Sequence, residues 1–471
     1  MRTHPTIFHT IWRNETGSAM PMVGLAIFML TAAAGTAIDM GRIQIVQSRM
    51  QSALDAAGLA VGSVVNSVNI NTETGKYFYA NFPSGYMGTD ITQLSAVTTA
   101  DKNVITLKAV GNVNMTFMKL LGVPSAQVEA NSQITRANRG MELVLVMDNT
   151  GSMNSSAGGS VSKINAAKTA AKTLLTTIYG TNDTIPNVWV GLVPFAQAVN
   201  IGTGNASWTQ TNSFNWGTSS WGGCVDAREA GGEDITDTPP STSKYPQYYW
   251  PCDTNNKWYG TNSNRDNCAT GSATKYKTTI SPSTQGPNYY CSQAITPMTA
   301  SKATLTAGIN AMQARGNTHI GLGLVWGWNM LSPKWRGSWG GEMAINALPL
   351  DYNTPLMNKV VILMTDGDNT IDNGSRGGYW YLSNGKLGTT NSSNAVTQLN
   401  SRTTSVCNAM KAQGVLIYTI ALGTSISSSS QTLLRNCATK PEYYFLSPST
   451  DTLQTVFTQI GDSLANLRIS K

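Results

Sequence analysis

Charged side chains and histidines are scarce in this sequence, and their scarcity removes several functional classes. Asp, Glu, Lys and Arg make up 12% of the 471 residues. The net charge is +7, but the basic residues are not clustered in a run, so the sequence does not support nucleic-acid binding. His4 and His9 precede a long apolar segment, so only His319 remains to build a Ser or Cys catalytic triad. The Gly-x-x-x-x-Gly-Lys-Ser/Thr loop of nucleotide hydrolases is also missing. We therefore predict a protein that is not an enzyme and has no catalytic residue.

The N-terminal segment has the length and composition of a membrane anchor. Residues 16–38 contain no charged side chain and are long enough to span a bilayer as a helix. Arg2 and Arg13 precede this stretch, so the positive-inside rule predicts that residues 1–15 are cytoplasmic and that the bulk of the chain is outside. We predict a retained single-pass anchor. The alternative is a signal peptide cleaved among the small residues Ala32 to Ala37.

Two further segments follow the apolar window. Residues 39–66 are predicted to continue the helix outward, with an apolar seam at three-four spacing formed by Ile43, Val46, Met50, Ala53, Ala57, Ala60 and Val64. This seam is expected to pack on the chain's own next domain; packing against neighbouring subunits is the alternative. Residues 67–140 are predicted to form a small β-rich module, because residues 105–109 and 128–134 alternate apolar and polar side chains. A turn is expected at residues 101–103.

Residues 141–471 carry the pattern of an α/β domain. Strands are predicted at residues 144–147, 188–195, 359–364, 415–422 and 443–446, and helices at about 162–178, 320–331, 396–413 and 452–467. Strands and helices that alternate in this way predict a doubly wound, mostly parallel sheet with helices on both faces. Two insertions, at about 203–295 and 332–354, interrupt the pattern.

Two of these strands end in side chains that carry oxygen. Asp148, Thr150 and Ser152 follow the first strand, Asp366 follows the strand at 359–364, and Thr318 lies just before the helix at 320–331. Ligands of open α/β sheets gather beyond the carboxyl ends of the strands, so we expect these side chains to converge. Carboxylates and hydroxyls are the ligands of hard cations such as Mg²⁺ or Mn²⁺. The alternative is that these residues only cap helices and begin turns.

This set of residues resembles the metal-ion-dependent adhesion site (MIDAS) of von Willebrand factor type A (vWA) domains. The family pattern is Asp-x-Ser-x-Ser, then a distant Thr and a distant Asp; here Thr150 replaces the first serine. The resemblance implies a vWA-like fold, with Asp148, Thr150, Ser152, Thr318 and Asp366 holding Mg²⁺ or Mn²⁺. It also implies a protein partner whose acidic side chain completes the coordination shell.

The first insertion is rich in cysteine and aromatic residues. Four cysteines, Cys224, Cys252, Cys268 and Cys291, predict two disulfides whose connectivity the sequence leaves open. Cys407 and Cys437 are expected to form a third; zinc binding is the alternative for the insertion. The insertion leaves the domain before the Thr318 loop, so it is placed to lie over the metal face. Its Trp and Tyr residues are expected to form a core of their own, and stacking on sugars or on a partner is the alternative.

A second resemblance concerns the N-terminal segment. Gly17-Ser18-Ala19, the helix end Ala37-Ile38-Asp39-Met40-Gly41-Arg42, and the helix from Gln51 to Ala57 look like the start of TadG-like proteins of the tight-adherence (Flp, type IVb) pilus systems. Trp326-Gly327-Trp328 is also similar. This resemblance implies a bacterial inner-membrane protein of pilus assembly, with pilus or secretion components as partners and no nucleic acid. The alternatives are a surface adhesin for host or abiotic ligands and a metal-dependent envelope hydrolase.

Overall fold

A computed structural model of the chain describes residues 19–62, 69–99, 104–135, 140–156, 160–229, 232–261, 264–265, 267–268, 275–371, 373–424 and 426–468. The chain divides into two compact units, residues 1–137 and 138–471. The cytoplasmic segment predicted at residues 1–15, the turn predicted at residues 101–103 and the seam residue Val64 lie outside the described residues.

The first unit combines two helices with an antiparallel sheet. Helix α1 spans Ala19–Gly62 and helix α2 spans Ile70–Asn81, where the Asn69 side chain accepts hydrogen bonds from two backbone N–H groups of the first turn. Strands β1 (Thr89–Thr98), β2 (Val104–Asn114) and β3 (Ser125–Thr135) pair in the order β1-β2-β3. The prediction of a β-rich module missed α2, because its short apolar face gives little periodic signal.

The two halves of α1 have different surroundings. The apolar seam of the second half is buried against β2 and β3, with Val46, Met50 and Ala57 fully covered, so the seam packs within its own unit. The first half exposes its large apolar side chains, among them Phe28 and Leu30. The stretch Met20–Gly62 has a mean hydropathy of 1.8 in its most apolar window, so it is long and apolar enough to cross a membrane.

The second unit is built on a mixed, multi-stranded sheet. Its strands are β4 (Gly140–Asp148), β5 (Val188–Phe195), β6 (Val199–Asn200), β7 (Cys224–Val225), β8 (Tyr259–Gly260), β9 (Lys275–Tyr276), β10 (Thr296–Thr299), β11 (Met357–Thr365), β12 (Leu416–Leu422) and β13 (Tyr444–Ser447). The main sheet has the order β13-β12-β11-β4-β5-β6-β7, and neighbours from β13 to β5 are parallel. Strands β6, β7 and β10 add antiparallel pairs at the β5 side, whereas β8 and β9 pair with each other.

Helices cover both faces of this sheet. They are α3 (Lys163–Tyr179), α4 (Lys302–Ala311), α5 (Ile320–Leu331), α6 (Gly341–Ile345), α7 (Ser392–Ala412), α8 (Ser428–Cys437) and α9 (Thr450–Arg468). Leu143 and Leu145 of β4 share an apolar core with α3, α4 and α9, while Val144 and Val146 share one with α5, α7 and α8. Successive strand side chains point to opposite faces, so a strand without polar alternation must be covered on both sides. The predicted α/β domain with a multi-stranded sheet is confirmed.

The six cysteines form three disulfides, Cys224–Cys291, Cys252–Cys268 and Cys407–Cys437. The insertion does form apolar clusters of its own, one around Trp250 and one around Trp258. These clusters confirm the predicted core of the insertion. Trp208 lies outside them and packs edge-on against Trp335 and Trp339 of the second insertion, at 5.3 and 5.0 Å between ring centroids. The two insertions therefore share one core with α5.

Candidate functional site

The two aspartates of the predicted site lie at the ends of adjacent parallel strands. Asp148 ends β4 and Asp366 follows β11, and the register pairs Met147 with Met364, so both carboxylates reach the same edge of the sheet. Ser152 links Asp366 to Thr150: its Oγ donates to Asp366 Oδ1 at 2.7 Å and lies 2.9 Å from Thr150 Oγ1. Asp148, Thr150 and Asp366 are buried, whereas Ser152 is exposed. Ser152 is thus the member of the cluster that solvent reaches.

Asp148 is held on both of its oxygens. Its Oδ1 accepts a 2.7 Å hydrogen bond from the Thr150 backbone N–H, and its Oδ2 accepts one of 2.6 Å from the Thr365 hydroxyl. Burial, and then the negative charge of Asp366, raise the pKa of Asp148 to about 7. Two buried carboxylates at one point repel each other, so a cation at this place would be strongly attracted.

Lys163 is the residue of this site that the sequence prediction missed. Its ammonium Nζ donates to Asp366 Oδ2 at 2.8 Å, and its side chain is only 9% exposed. The lysine begins α3, far from Asp366 in sequence, and no local motif links the two. The pair neutralises the charge of one of the two carboxylates.

Backbone hydrogen bonds bring the Thr318 loop to the cluster. The Gly151 N–H donates to Gly316 O at 2.8 Å, and the N–H of Thr318 donates to Thr370 Oγ1 at 2.9 Å. Ser152 and Thr318 line one cavity of about 640 Å³, together with Gly151, Gly316, Asn317, Asn369, Thr370, Ile371, Ser392, Ser393 and Val396. The structure therefore brings the two distant parts of the predicted set to the same place.

The donor chemistry of the cluster suits a hard dication. Among the described residues no group of three or more His, Cys, Asp or Glu side chains is assembled, so a site rich in carboxylate, imidazole or thiolate is not present there. The predicted set instead offers two carboxylates and three hydroxyls. Mg²⁺ binds through one or two carboxylates and keeps several waters, so this oxygen set fits it.

A second cleft adjoins the same loops on the side of the insertion. Gly151 and Gly316 line it as well, and Lys168 and Arg315 supply its charge; its volume is about 640 Å³. The Lys168 ammonium donates to the Asn310 carbonyl at 3.1 Å, and the Arg315 guanidinium donates to the Cys291 carbonyl at 3.4 Å. The described residues that line the cleft include no Asp or Glu. The cleft is therefore electropositive.

The insertion supplies one wall of this electropositive cleft. Tyr289 and Tyr290 line it with their rings stacked at 3.9 Å between centroids, and Trp250 packs against both rings. Another insertion residue, Gln293, accepts a 3.1 Å hydrogen bond from the Asn149 side chain. The insertion thus reaches the loop that carries Asp148, Thr150 and Ser152. Most other aromatic rings of the insertion, including Trp258, are buried.

The N-terminal segment matches one known protein family. Residues 17–64 match the sequence profile of the family described as Flp pilus-assembly TadE/G-like. The predicted resemblance of this segment to TadG-like proteins is therefore confirmed. The match covers the whole of α1 and none of the α/β unit. No curated protein matches the chain significantly.

Solved structures similar to the chain include proteins of pili. The pilus adhesin SpaC from Lactobacillus rhamnosus GG is 14% identical over 80% of this chain and 34% of its own, with a TM-score of 0.35. The von Willebrand factor domain of the type V pilus tip protein Mfa5 from Porphyromonas gingivalis is 12% identical over 71% of this chain and 97% of its own, with a TM-score of 0.36. Proximal thread matrix protein 1 of the mussel byssus, with a zinc-occupied MIDAS motif, is 16% identical over 69% and 46%, with a TM-score of 0.30. The chain thus spans about a third of the length of SpaC.

Proposed function

We propose that the protein is a single-pass inner-membrane component of Tad/Flp pilus assembly, and that its α/β unit is a vWA domain that binds a protein partner through a divalent ion. The TadE/G-like match and the apolar first half of α1 support the pilus system and the anchor. In this proposal residues 1–15 are cytoplasmic and the α/β unit lies outside the inner membrane. Three disulfides support that placement, since disulfides persist in oxidising compartments.

The observation that carries the binding proposal is the hydrogen-bonded chain from Thr150 through Ser152 to Asp366 beside the buried Asp148. Asp148, Thr150, Ser152, Thr318 and Asp366 would hold Mg²⁺ or Mn²⁺. The ion would supply an electrophilic point for a carboxylate from the partner. Because Ser152 is exposed and the other four residues of the set are buried, the partner would approach from the Ser152 side.

The electropositive cleft supports an acidic partner. Lys168 and Arg315 meet neutral groups within the cleft, so negatively charged side chains next to the partner's metal ligand would find cations there. Tyr289 and Tyr290 give the same cleft an aromatic wall, and this wall is the observation that favours the second candidate, an adhesin for glycans. We propose no catalytic role, since His319 is buried and burial lowers its pKa to about 4.

Metal binding by the purified full-length chain in detergent tests the proposal. Isothermal titration with Mg²⁺ and Mn²⁺ is expected to give one site in the wild type and none in Asp148→Asn or Asp366→Asn. Asp368→Asn is the matched control, because Asp368 accepts from the Ser427 hydroxyl and takes no part in the cluster. Equal metal affinity in all four proteins would show that the site is wrongly assigned.

A further inference from the structure

A short loop of the first unit exposes an unusual number of apolar side chains. It comprises residues 116–123 and connects β2 to β3. Leu120 is 84% exposed, Leu121 50%, Phe117 40% and Val123 39%. Contiguous exposed apolar groups mark surfaces that contact another protein or a membrane.

Asp39 of α1 holds this loop in place. Its carboxylate accepts hydrogen bonds from the backbone N–H groups of Thr116 at 3.1 Å, Phe117 at 2.7 Å and Met118 at 2.8 Å. Arg42, one turn further along α1, donates to the Thr116 hydroxyl at 2.7 Å. The Asp39 side chain is fully buried by these contacts. The loop is therefore fixed at one height along the axis of α1, level with Asp39.

That height falls within the apolar part of α1. The ring of Phe117 lies on Gly35 so closely that a Cβ at Gly35 would come within 2.6 Å of Phe117 Cγ. Gly35 precedes Asp39 by one turn, about 6 Å along the helix axis. It also belongs to the uncharged window of residues 16–38. A bilayer that surrounds this window must therefore meet the loop.

We infer that the loop of residues 116–123 inserts into the membrane beside α1, as a second lipid contact of the first unit. This inference rests on the proposed membrane anchor. Lipid is the occupant that the contacts favour, because the loop continues the exposed apolar surface of α1 and is bound to it at the edge of the hydrocarbon. Lys119, exposed in the same loop, lies where a lysine reaches lipid phosphate groups. With two contacts, the sheet is fixed in orientation to the membrane surface.

The native disulfides make a direct test possible. All six cysteines are paired, so Leu120→Cys supplies a single thiol for an environment-sensitive NBD fluorophore. The labelled full-length protein is reconstituted in vesicles of phosphatidylcholine and phosphatidylglycerol, with and without doxyl-labelled lipid. Two matched positions serve as references: Phe28→Cys, 62% exposed in the middle of the apolar window, and Val97→Cys, 65% exposed on β1. Val97 pairs with Thr106, about 25 Å along the sheet from the end that meets the loop.

The expected result is a blue-shifted emission that doxyl lipid quenches at positions 28 and 120, with neither change at position 97. If position 28 is quenched while position 120 behaves like position 97, the anchor stands and the loop inference is wrong. If neither position 28 nor position 120 is quenched, the membrane anchor fails and the loop inference falls with it.

Discussion

Replacing Asp148 by asparagine is predicted to stabilise the metal-free protein while it abolishes metal binding. The pKa of Asp148 is raised from an ordinary value of 3.8 to about 7, chiefly by burial. The folded state therefore binds a proton more tightly than the unfolded state. This tighter proton binding stabilises the folded state fully below pH 4. The stabilisation, about 4 kcal/mol of unfolding free energy in total, is lost as the pH rises to 7. An uncharged amide avoids this loss at pH 8.

The geometry around Asp148 accommodates the amide. Its oxygen can accept from the Thr150 N–H, and its nitrogen can donate to the Thr365 hydroxyl, which also has the Gly367 carbonyl as an acceptor. We therefore expect the unfolding free energy at pH 8 in chelator to rise by about 2 to 4 kcal/mol. Asp366→Asn should instead lower the unfolding free energy by about 3 to 5 kcal/mol, since it leaves the charge of the buried Lys163 ammonium uncompensated.

Urea denaturation followed by tryptophan fluorescence, at pH 5 and pH 8 with disulfides intact, measures both effects. The wild type should lose stability between these two pH values in chelator, and Asp148→Asn should not. Addition of Mg²⁺ should stabilise only the wild type. This electrostatic reasoning would be refuted if Asp148→Asn had a lower unfolding free energy than the wild type at pH 8. It would also be refuted if both variants changed the unfolding free energy in the same direction.

Further predictions concern the neighbours of the cluster. Lys163→Met should lower the unfolding free energy of the metal-free protein by about 3 kcal/mol, because Asp366 loses its buried ion-pair partner. The same variant should bind Mg²⁺ more tightly in titrations, because a competing cation is removed. Weaker Mg²⁺ binding would contradict the role given to Lys163. Lys168→Glu should weaken binding of an octaglutamate peptide by about fivefold or more, as measured by fluorescence anisotropy. Lys172 lies one turn away on α3 and outside the cleft, so Lys172→Glu should leave this affinity unchanged. Equal losses of affinity in the two variants would count against the cleft as the binding site. Joint replacement of Cys224 and Cys291 by alanine should cost about 4 kcal/mol in urea unfolding, since the bridge closes a 67-residue separation, and an unchanged midpoint would argue against that bridge.

Features written in local patterns could be predicted from the sequence. The bounds of β5 and α5 agree with the prediction, because continuous apolar runs and their flanking turns mark both elements. The order of Asp148, Thr150, Ser152, Thr318 and Asp366 along the chain also suggested that they meet. Their metal-binding role stays a prediction.

Features that depend on tertiary contacts could not be predicted. The ion pair of Lys163 with Asp366 joins residues from two elements without a shared motif. The pairing Cys224–Cys291 was one of several possible connectivities. Trp208 packs on Trp335 because both insertions cover the same helix, α5. The sequence pattern within either insertion does not indicate this shared position.

Anomalous scattering from crystals grown with Mn²⁺ tests the central proposal most directly. The proposal predicts a peak about 2.1 Å from the Ser152 hydroxyl oxygen, with Asp148, Thr150, Thr318 and Asp366 bound directly or through water and with the Lys163 ammonium withdrawn from Asp366. A crystal at saturating Mn²⁺ that shows no peak at Ser152, with the 2.8 Å pair of Lys163 and Asp366 intact, would contradict it.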